Sequence, residues 1–237
     1  MRINGGGCSR KVENLLRRSL SPDGLAGRLA WHLIRGSVRV FLFRWVRLRH
    51  EGVERLRVEG RVIFAPVHRS NIDGPIVGSL SHRRVRYLSK DSLFSPAAAG
   101  WVMRSVGCFP VKRGSADLDA MRAGKKLLDS GDAMLVFPEG TRQSGDEIAE
   151  IFDGAAWLAA KSQALVVPVG IAGSEAAMPS GSKGIKRVPV AIVVGDPMSP
   201  PGSAGQRASR AELKAWTAEL RTVLMELQER AEVLNQR

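Results

Sequence analysis

Hydrophobic and polar positions along the chain fall into short blocks whose period changes from one block to the next. From about residue 60, runs rich in β-branched and aromatic residues recur at Val62–Val67, Val85–Ser89, Cys108–Val111, Ala133–Phe137, Leu165–Ile171 and Val188–Val194, and these read as strands. Stretches with helical spacing lie between and after them, at Asn71–Leu80, Pro96–Ser105, Asp117–Leu128, Gly154–Lys161 and Ala211–Asn235. The last opens on Ser209-x-x-Glu212, a capping box, and carries a stripe of Leu213, Trp216, Leu220, Val223, Leu227, Ala231 and Leu234 that reads as core packing. Strands interleaved with helices predict a single α/β domain with a central mixed or largely parallel sheet flanked by helices.

Residues 25–49 carry a different pattern. Arg28, His32, Arg35 and Arg39 recur at spacings of four, three and four, which places them on one helical face. Trp31, Leu33, Ile34, Val38, Phe41, Leu42 and Trp45 supply a broad apolar surface around the remainder, and Arg44, Arg47 and Arg49 flank the end. Such a helix suits two settings: the surface of an anionic bilayer, or the protein's own core with the arginines in solvent. Before it, residues 1–24 are polar, basic and close on the turn signal Ser21-Pro22-Asp23-Gly24. The expected organisation is therefore a basic mobile arm over 1–24, an amphipathic, membrane-associating helix over 25–50 and the α/β domain over 51–237.

Charge sharpens this division. The 237 residues hold 36 Lys+Arg against 23 Asp+Glu, a net +13, but residues 1–50 alone contribute 11 basic and two acidic residues, or +9. The rest of the chain is near balance, so something anionic is expected to meet the amino-terminal fifth. Hydrophobic residues at 44% exclude a disordered or fibrous chain. Cys8 and Cys108 make no disulfide framework and fit a reducing compartment; Gly7-Cys8 has no apolar signal region before it. No run of 18 apolar residues is present, so no ordinary transmembrane helix is expected, and the expected place is the cytoplasmic face of the cell membrane, held peripherally.

The stretch Ala65-Pro66-Val67-His68-Arg69-Ser70-Asn71-Ile72-Asp73-Gly74-Pro75 carries the first candidate chemistry. On one continuous helix, positions five apart point about 140° away from each other. His68 and Asp73 can meet only if His68 precedes the helix and Asp73 falls in its first turn, which Pro75 favours. The carboxylate could then accept the imidazole Nδ1–H and leave Nε2 as a base. The plainer alternative is that Asp73 or Ser70 caps the helix and His68 is a loop residue.

A second segment, Phe137-Pro138-Glu139-Gly140-Thr141-Arg142, follows an expected strand and can project Arg142 from the carboxyl edge of the sheet, where ligands bind in open α/β folds. The planar fork of arginine suits a phosphate. Another basic pair, Lys112-Arg113, follows the strand at Cys108–Val111. Each arginine alone is most often a solvated surface charge; two at strand ends beside a candidate base carry more weight.

Taken in order, His-x4-Asp, Gly107-Cys108-Phe109-Pro110-Val111-Lys112-Arg113, FPEGTR and Val166-Val167-Pro168-Val169-Gly170-Ile171 resemble the motif set of the glycerolipid acyltransferases, in particular bacterial 1-acylglycerol-3-phosphate acyltransferases, over about residues 55–200. The resemblance implies a fatty acyl transfer from acyl-CoA or an acyl carrier protein thioester to a lysophosphatidate-like acceptor in phospholipid biosynthesis, with no metal or cofactor. It implies His68 as general base and Asp73 as its orienting partner. It implies Lys112, Arg113, Glu139, Gly140, Thr141 and Arg142 on the acceptor's phosphate and glycerol, and Pro168 near the acyl site. One departure is Asp153-Gly154, where a lysine is expected after Phe152. Glycerol 3-phosphate or another lysophospholipid stands as the alternative acceptor.

The chemistry is coherent: a hydroxyl attacks a thioester once a base takes its proton, and a thiolate leaves readily. A Ser-His-Asp hydrolase built on Ser70 lacks the G-x-S-x-G elbow. A basic nucleic-acid-binding protein is the reading from a different class, but the excess charge is confined to residues 1–50 and its aromatics lie on an apolar helix surface, so no nucleic-acid partner is expected.

Overall fold

A computed structural model describes residues 24–111, 117–145, 147–202 and 208–237. Seven strands form one sheet in the order β1-β7-β6-β2-β5-β3-β4. They are β1 (Arg49–Glu51), β2 (Val62–Pro66), β3 (Val85–Lys90), β4 (Cys108–Val111), β5 (Ala133–Leu135), β6 (Leu165–Ala172) and β7 (Ala191–Val194). The five from β6 to β4 run parallel, β7 runs antiparallel to β6, and β1 pairs parallel with β7. The α/β domain with a largely parallel sheet is as expected. The six expected strands lie where the apolar runs put them, several one to three residues shorter or longer.

Helices α1 (Leu25–Ser37), α2 (Asp73–Leu80), α3 (Ala97–Ser105), α4 (Asp117–Asp129), α5 (Gly154–Ser162) and α6 (Arg210–Gln236) flank the sheet. Their faces follow from chain direction. The crossovers β2-α2-β3 and β3-α3-β4 step one way across the sheet, while β4-α4-β5 and β5-α5-β6 step the other way. Right-handed crossovers therefore put α2 and α3 on one face and α4 and α5 on the other. Side chains agree: Tyr87 of β3 sits against Gly74 and Gly78 of α2, whereas Met134 of β5 meets Gly124 of α4. Covered on both faces, β2 is buried throughout and reads as an unbroken apolar run.

The carboxyl-terminal helix α6 lies across β6 and β7. Its backbone comes so close at Leu227 that a Cβ on Gly170 would overlap the Leu227 carbonyl. Gln228 at that crossing accepts from the Ile171 amide (3.2 Å). Ser209 and Glu212 form the expected capping box.

The amino-terminal helix differs from expectation at its end. α1 continues through a π-helical turn, Val38–Leu42, and a last α-helical turn, Phe43–Trp45, and then stops. Residues 49 and 50, expected as helix, join Glu51 in the edge strand β1 instead: the polar triplet Arg-His-Glu takes its structure from the ladder offered by β7. Arg35 also departs from the expected cationic row. Its Nε and Nη2 donate to the carbonyls of Ser79 (3.1 Å) and Ser81 (2.6 Å) at the end of α2. Burial, and then the nearby charge of Arg39, lowers the Arg35 pKa from its ordinary value. The outer row of α1 is instead apolar: Leu25, Leu29, Leu33, Phe41 and Trp45 are all exposed, Phe41 by 72%. These positions are multiples of four residues apart. On a pure α-helix such a row drifts about 40° per step, and the wider π turn takes back part of that drift. Among the described residues, no helix is long and apolar enough to cross a membrane.

Candidate active site

β2 and β5 are neighbours with parallel direction, so the loops leaving their carboxyl ends lie side by side. The first carries His68 and the second carries Phe137–Arg142. Sequence separation of about 70 residues disappears in this one pairing.

The loop from Val67 to Ile72 turns the chain from β2 into α2, which begins at Asp73. His68 thus precedes the helix and Asp73 opens it, as the meeting of the two requires. The imidazole Nδ1 is 3.1 Å from Asp73 Oδ2. The same oxygen accepts the backbone N–H groups of Arg69 (2.7 Å) and Ser70 (2.6 Å). Asp73 thus ties the loop's amides to the imidazole, but it does not cap the helix: the N-cap position is Ile72, and no side chain caps that end. A carboxylate only accepts, so Nδ1 carries a proton, and in the neutral imidazole this tautomer leaves Nε2 as the acceptor. Asp73 is fully buried, while the His68 side chain keeps 17% of its surface exposed. Asp73 Oδ1 is buried with no hydrogen-bond partner among the described residues. The ring of Phe137 stacks on the imidazole, centroids 3.6 Å apart and planes 14° from parallel.

The backbone of His68 is held by the second loop on both sides. Its N–H donates to Glu139 Oε1 (3.1 Å) and its carbonyl accepts from the Gln143 amide (2.9 Å). Glu139 is buried, and its other oxygen receives Arg69 Nη1 at 2.6 Å. Arg69 then donates Nε to the Gly145 carbonyl (2.9 Å) and Nη2 to that of Glu147 (3.0 Å). Glu139 is thus engaged inside the protein, and Gly140, Thr141 and Arg142 form the exposed crest of the loop. Arg142 makes no ion pair or hydrogen bond with any described residue. The crest turns at Gly140, where φ is +69°, and Phe152 lies so near that a Cβ there would be 3.1 Å from its ring. Phe152 is itself 64% exposed.

Other expected residues fall elsewhere. Lys112 and Arg113 lie outside the described residues, as do residues 1–23 of the arm expected over 1–24; β4 ends one residue before Lys112, on the same edge of the sheet as His68. Burial pushes the Cys108 thiol of β4 up, with a hydrogen bond from Ser89 opposing it. Pro168 is inside β6, opposite Ala65 in register. Its ring and Leu227 both crowd Gly195, toward α6. Its carbonyl accepts the Gly195 amide (2.9 Å), so its missing N–H falls where β7 gives way to the loop after Val194. Asp153, standing where a lysine was expected, accepts the Thr217 hydroxyl (2.7 Å) and ties α5 to α6. The Ser70 hydroxyl donates to the Met178 carbonyl (2.8 Å).

Arg69 and Phe137 are site residues that motif reading did not assign. Arg69 adjoins His68 in the chain, but only the approach of the second loop supplies the Glu139 carboxylate and the carbonyls of Gly145 and Glu147 as its acceptors. Two cavities lie away from His68. The larger, about 880 Å³, runs between α6 and the loop after β7; the smaller, about 230 Å³, lies at the end of β6 beside Arg69 and Glu175.

Comparison with known proteins adds an independent line. The family model described as Acyltransferase matches residues 47–172. A chloroplast 1-acyl-sn-glycerol-3-phosphate acyltransferase of Arabidopsis thaliana is 30% identical over 149 residues, covering 62% of this chain and 42% of its own. A 1-acyl-sn-glycerol-3-phosphate acyltransferase of Chlamydomonas reinhardtii is 33% identical over 150 residues, 61% of this chain and 44% of the algal one. Its counterpart in Bacillus subtilis is 25% identical over 202 residues, 85% and 93% of the two chains. The chain thus matches less than half the length of the plant and algal relatives and nearly all of the bacterial one. The crystal structure of the 1-acyl-sn-glycerophosphate acyltransferase of Thermotoga maritima shares the fold, with a TM-score of 0.71 at 22% identity over 96% of this chain and 90% of that one.

Proposed function

The chain belongs to the acyltransferase family, and from that premise we propose that it moves a fatty acyl group from an acyl thioester to the hydroxyl of a lysophosphatidate-like acceptor in phospholipid synthesis. The observation that carries this reading is the contact between His68 Nδ1 and the buried Asp73 carboxylate, with Nε2 left free beside the Arg142 loop. Nε2 takes the acceptor's hydroxyl proton as the oxygen attacks the thioester carbonyl. The tetrahedral adduct collapses with cleavage of the C–S bond, and the imidazolium returns its proton to the departing thiolate. Asp73, a full negative charge against Nδ1–H, stabilises the imidazolium between these steps. Phe137 keeps the ring plane fixed.

Arg142, exposed and unpaired among the described residues, is the group we assign to the acceptor's phosphate, with Arg113 and Lys112, which follow β4 in the chain. Fixing the acceptor by its charged end turns a bimolecular encounter into an oriented one. Glu139 acts from behind, holding the His68 amide and Arg69. The donor is acyl-CoA or an acyl carrier protein thioester. The acceptor's tail sits in a bilayer, and the exposed apolar row of α1 is the surface we assign to that bilayer's edge, with the arginines at its flanks meeting anionic headgroups.

Purified protein given acyl-CoA and a panel of acceptors, read by thiol release and lipid products, tests the assignment. Lysophosphatidate should be the acceptor consumed; preferred turnover of glycerol 3-phosphate would move the assignment to that acceptor. His68→Ala should keep the fold and lose on the order of 10³-fold in turnover. Near-wild-type turnover in a folded His68→Ala protein would remove His68 as the base.

A further inference from the structure

The loop between Ala177 and β7 lies against the end of α1, far from it in sequence. The Trp45 indole N–H donates to the Ile185 carbonyl (2.8 Å), and the Arg187 guanidinium lies 5.9 Å from the Trp45 ring centroid. Lys183, Lys186 and Arg187 are exposed, and none pairs with an acid among the described residues. The sequence from Ala176 to Gly195 contains no Asp or Glu at all. Arg187 therefore borders the exposed indole of Trp45, with Lys183 and Lys186 close to it in the same loop, and the exposed ring of Phe41 lies four residues before Trp45 on the helix.

We propose that this loop and the last turn of α1 form a single lipid-contacting surface that seats on anionic headgroups, a second point of attachment beside the apolar row of α1. The proposal rests on the reading of the protein as one that works at a bilayer. A dissolved phosphate would account for the cations but not for the adjoining exposed aromatics. An interface that is wet on one side and apolar on the other accounts for both. The indole N–H is already satisfied by the protein, so the ring can enter the headgroup layer without an unpaired donor. The cation over its ring holds loop and helix together. The loop also reaches the site: it leaves Met178, whose carbonyl accepts the hydroxyl of Ser70, two residues after His68. Seating it on lipid sets the catalytic loop beside the membrane surface from which the acceptor comes.

Vesicle co-sedimentation of the full chain tests this, with phosphatidylcholine alone and with added phosphatidylserine. Two variants are compared, K183Q/K186Q/R187Q and L29S/L33S/F41S, each checked for an unchanged thermal melt. The loop variant should bind anionic vesicles more weakly by about fivefold per charge, on the order of a hundredfold for the three. It should bind neutral vesicles as the parent does and turn over a short-chain, monomeric lysophosphatidate at the parent rate. Should the loop variant sediment with anionic vesicles like the parent while the α1 variant does not, the loop is no attachment point, although the bilayer reading stands. Should the parent itself bind neither vesicle, both fall together. A raised KM for acyl-CoA in the loop variant, with sedimentation unchanged, would make the loop a donor contact and overturn the proposal.

Discussion

Arg69 and Glu139 form a buried ion pair, Nη1 to Oε2 2.6 Å, that joins the loop carrying His68 to the loop carrying Arg142. Neither residue needs to touch substrate for this to matter. Glu139 also holds the His68 amide, and Arg69 also holds the carbonyls of Gly145 and Glu147, so the pair sets the distance between base and exposed arginine.

Removing one partner leaves a buried charge without its counterpart. Arg69→Met and Glu139→Gln should each destabilise the fold by roughly 3–5 kcal/mol. The double variant should lose less than the sum, with a coupling of about 1–3 kcal/mol, because the second change removes the orphan left by the first. Denaturant unfolding of the four proteins gives the cycle; strict additivity would mean that the pair is not closed in solution.

Asp73→Asn tests the carboxylate's charge apart from its shape. The amide NH2 cannot take the place of Oδ2, which faces three donors, so it must occupy the position of Oδ1, where no acceptor is present. Nδ1–H keeps its acceptor, but the imidazolium loses its anion. Turnover should fall about 10²–10⁴-fold, and stability by about 1–3 kcal/mol for the buried donor. Thiol release and a thermal melt read the two effects separately.

Arg142→Lys retains the charge and loses the fork. The KM for lysophosphatidate should rise about tenfold, the loss of one charge-assisted hydrogen bond, while the KM for acyl-CoA stays. A rise confined to acyl-CoA would place Arg142 on the donor instead.

Tyr87 predicts an alkaline limit. Burial raises its pKa well above the usual tyrosine range; the hydroxyl lies 3.4 Å from the Gly74 carbonyl and against Gly78. Above about pH 10 the unfolded chain ionises this phenol and the folded chain does not, so stability falls by about 1.4 kcal/mol per pH unit from this group. Tyr87 is the chain's one tyrosine, so phenolate absorbance reports it alone. That absorbance should appear together with unfolding, and Tyr87→Phe should flatten the alkaline decline. Phenolate formation in the still-folded protein would show that the hydroxyl reaches water.

Much was readable along the chain because local constraints act over a few residues. The six apolar runs, the capping box at Ser209 and Glu212, and the α/β alternation depend on neighbours in sequence, and the structure keeps them. The requirement that Asp73 open a helix with His68 just before it also follows from helix geometry and Pro75. By itself the sequence determined these elements and the chemical types at the strand ends.

Tertiary structure alone decided which strand ends meet. Placing β5 beside β2 brings Glu139 to the His68 amide and gives Arg69 its acceptors, and nothing in the local pattern of Val-His-Arg-Ser specifies that neighbour. The same holds for β1, whose polar triplet becomes a strand only because β7 offers an open edge, and for Arg35, whose spacing fits a solvent-facing row until α2 presents its last carbonyls. The reason is physical: a hydrogen bond or ion pair between distant segments depends on where the whole sheet places two backbones, and periodicity carries no record of that placement.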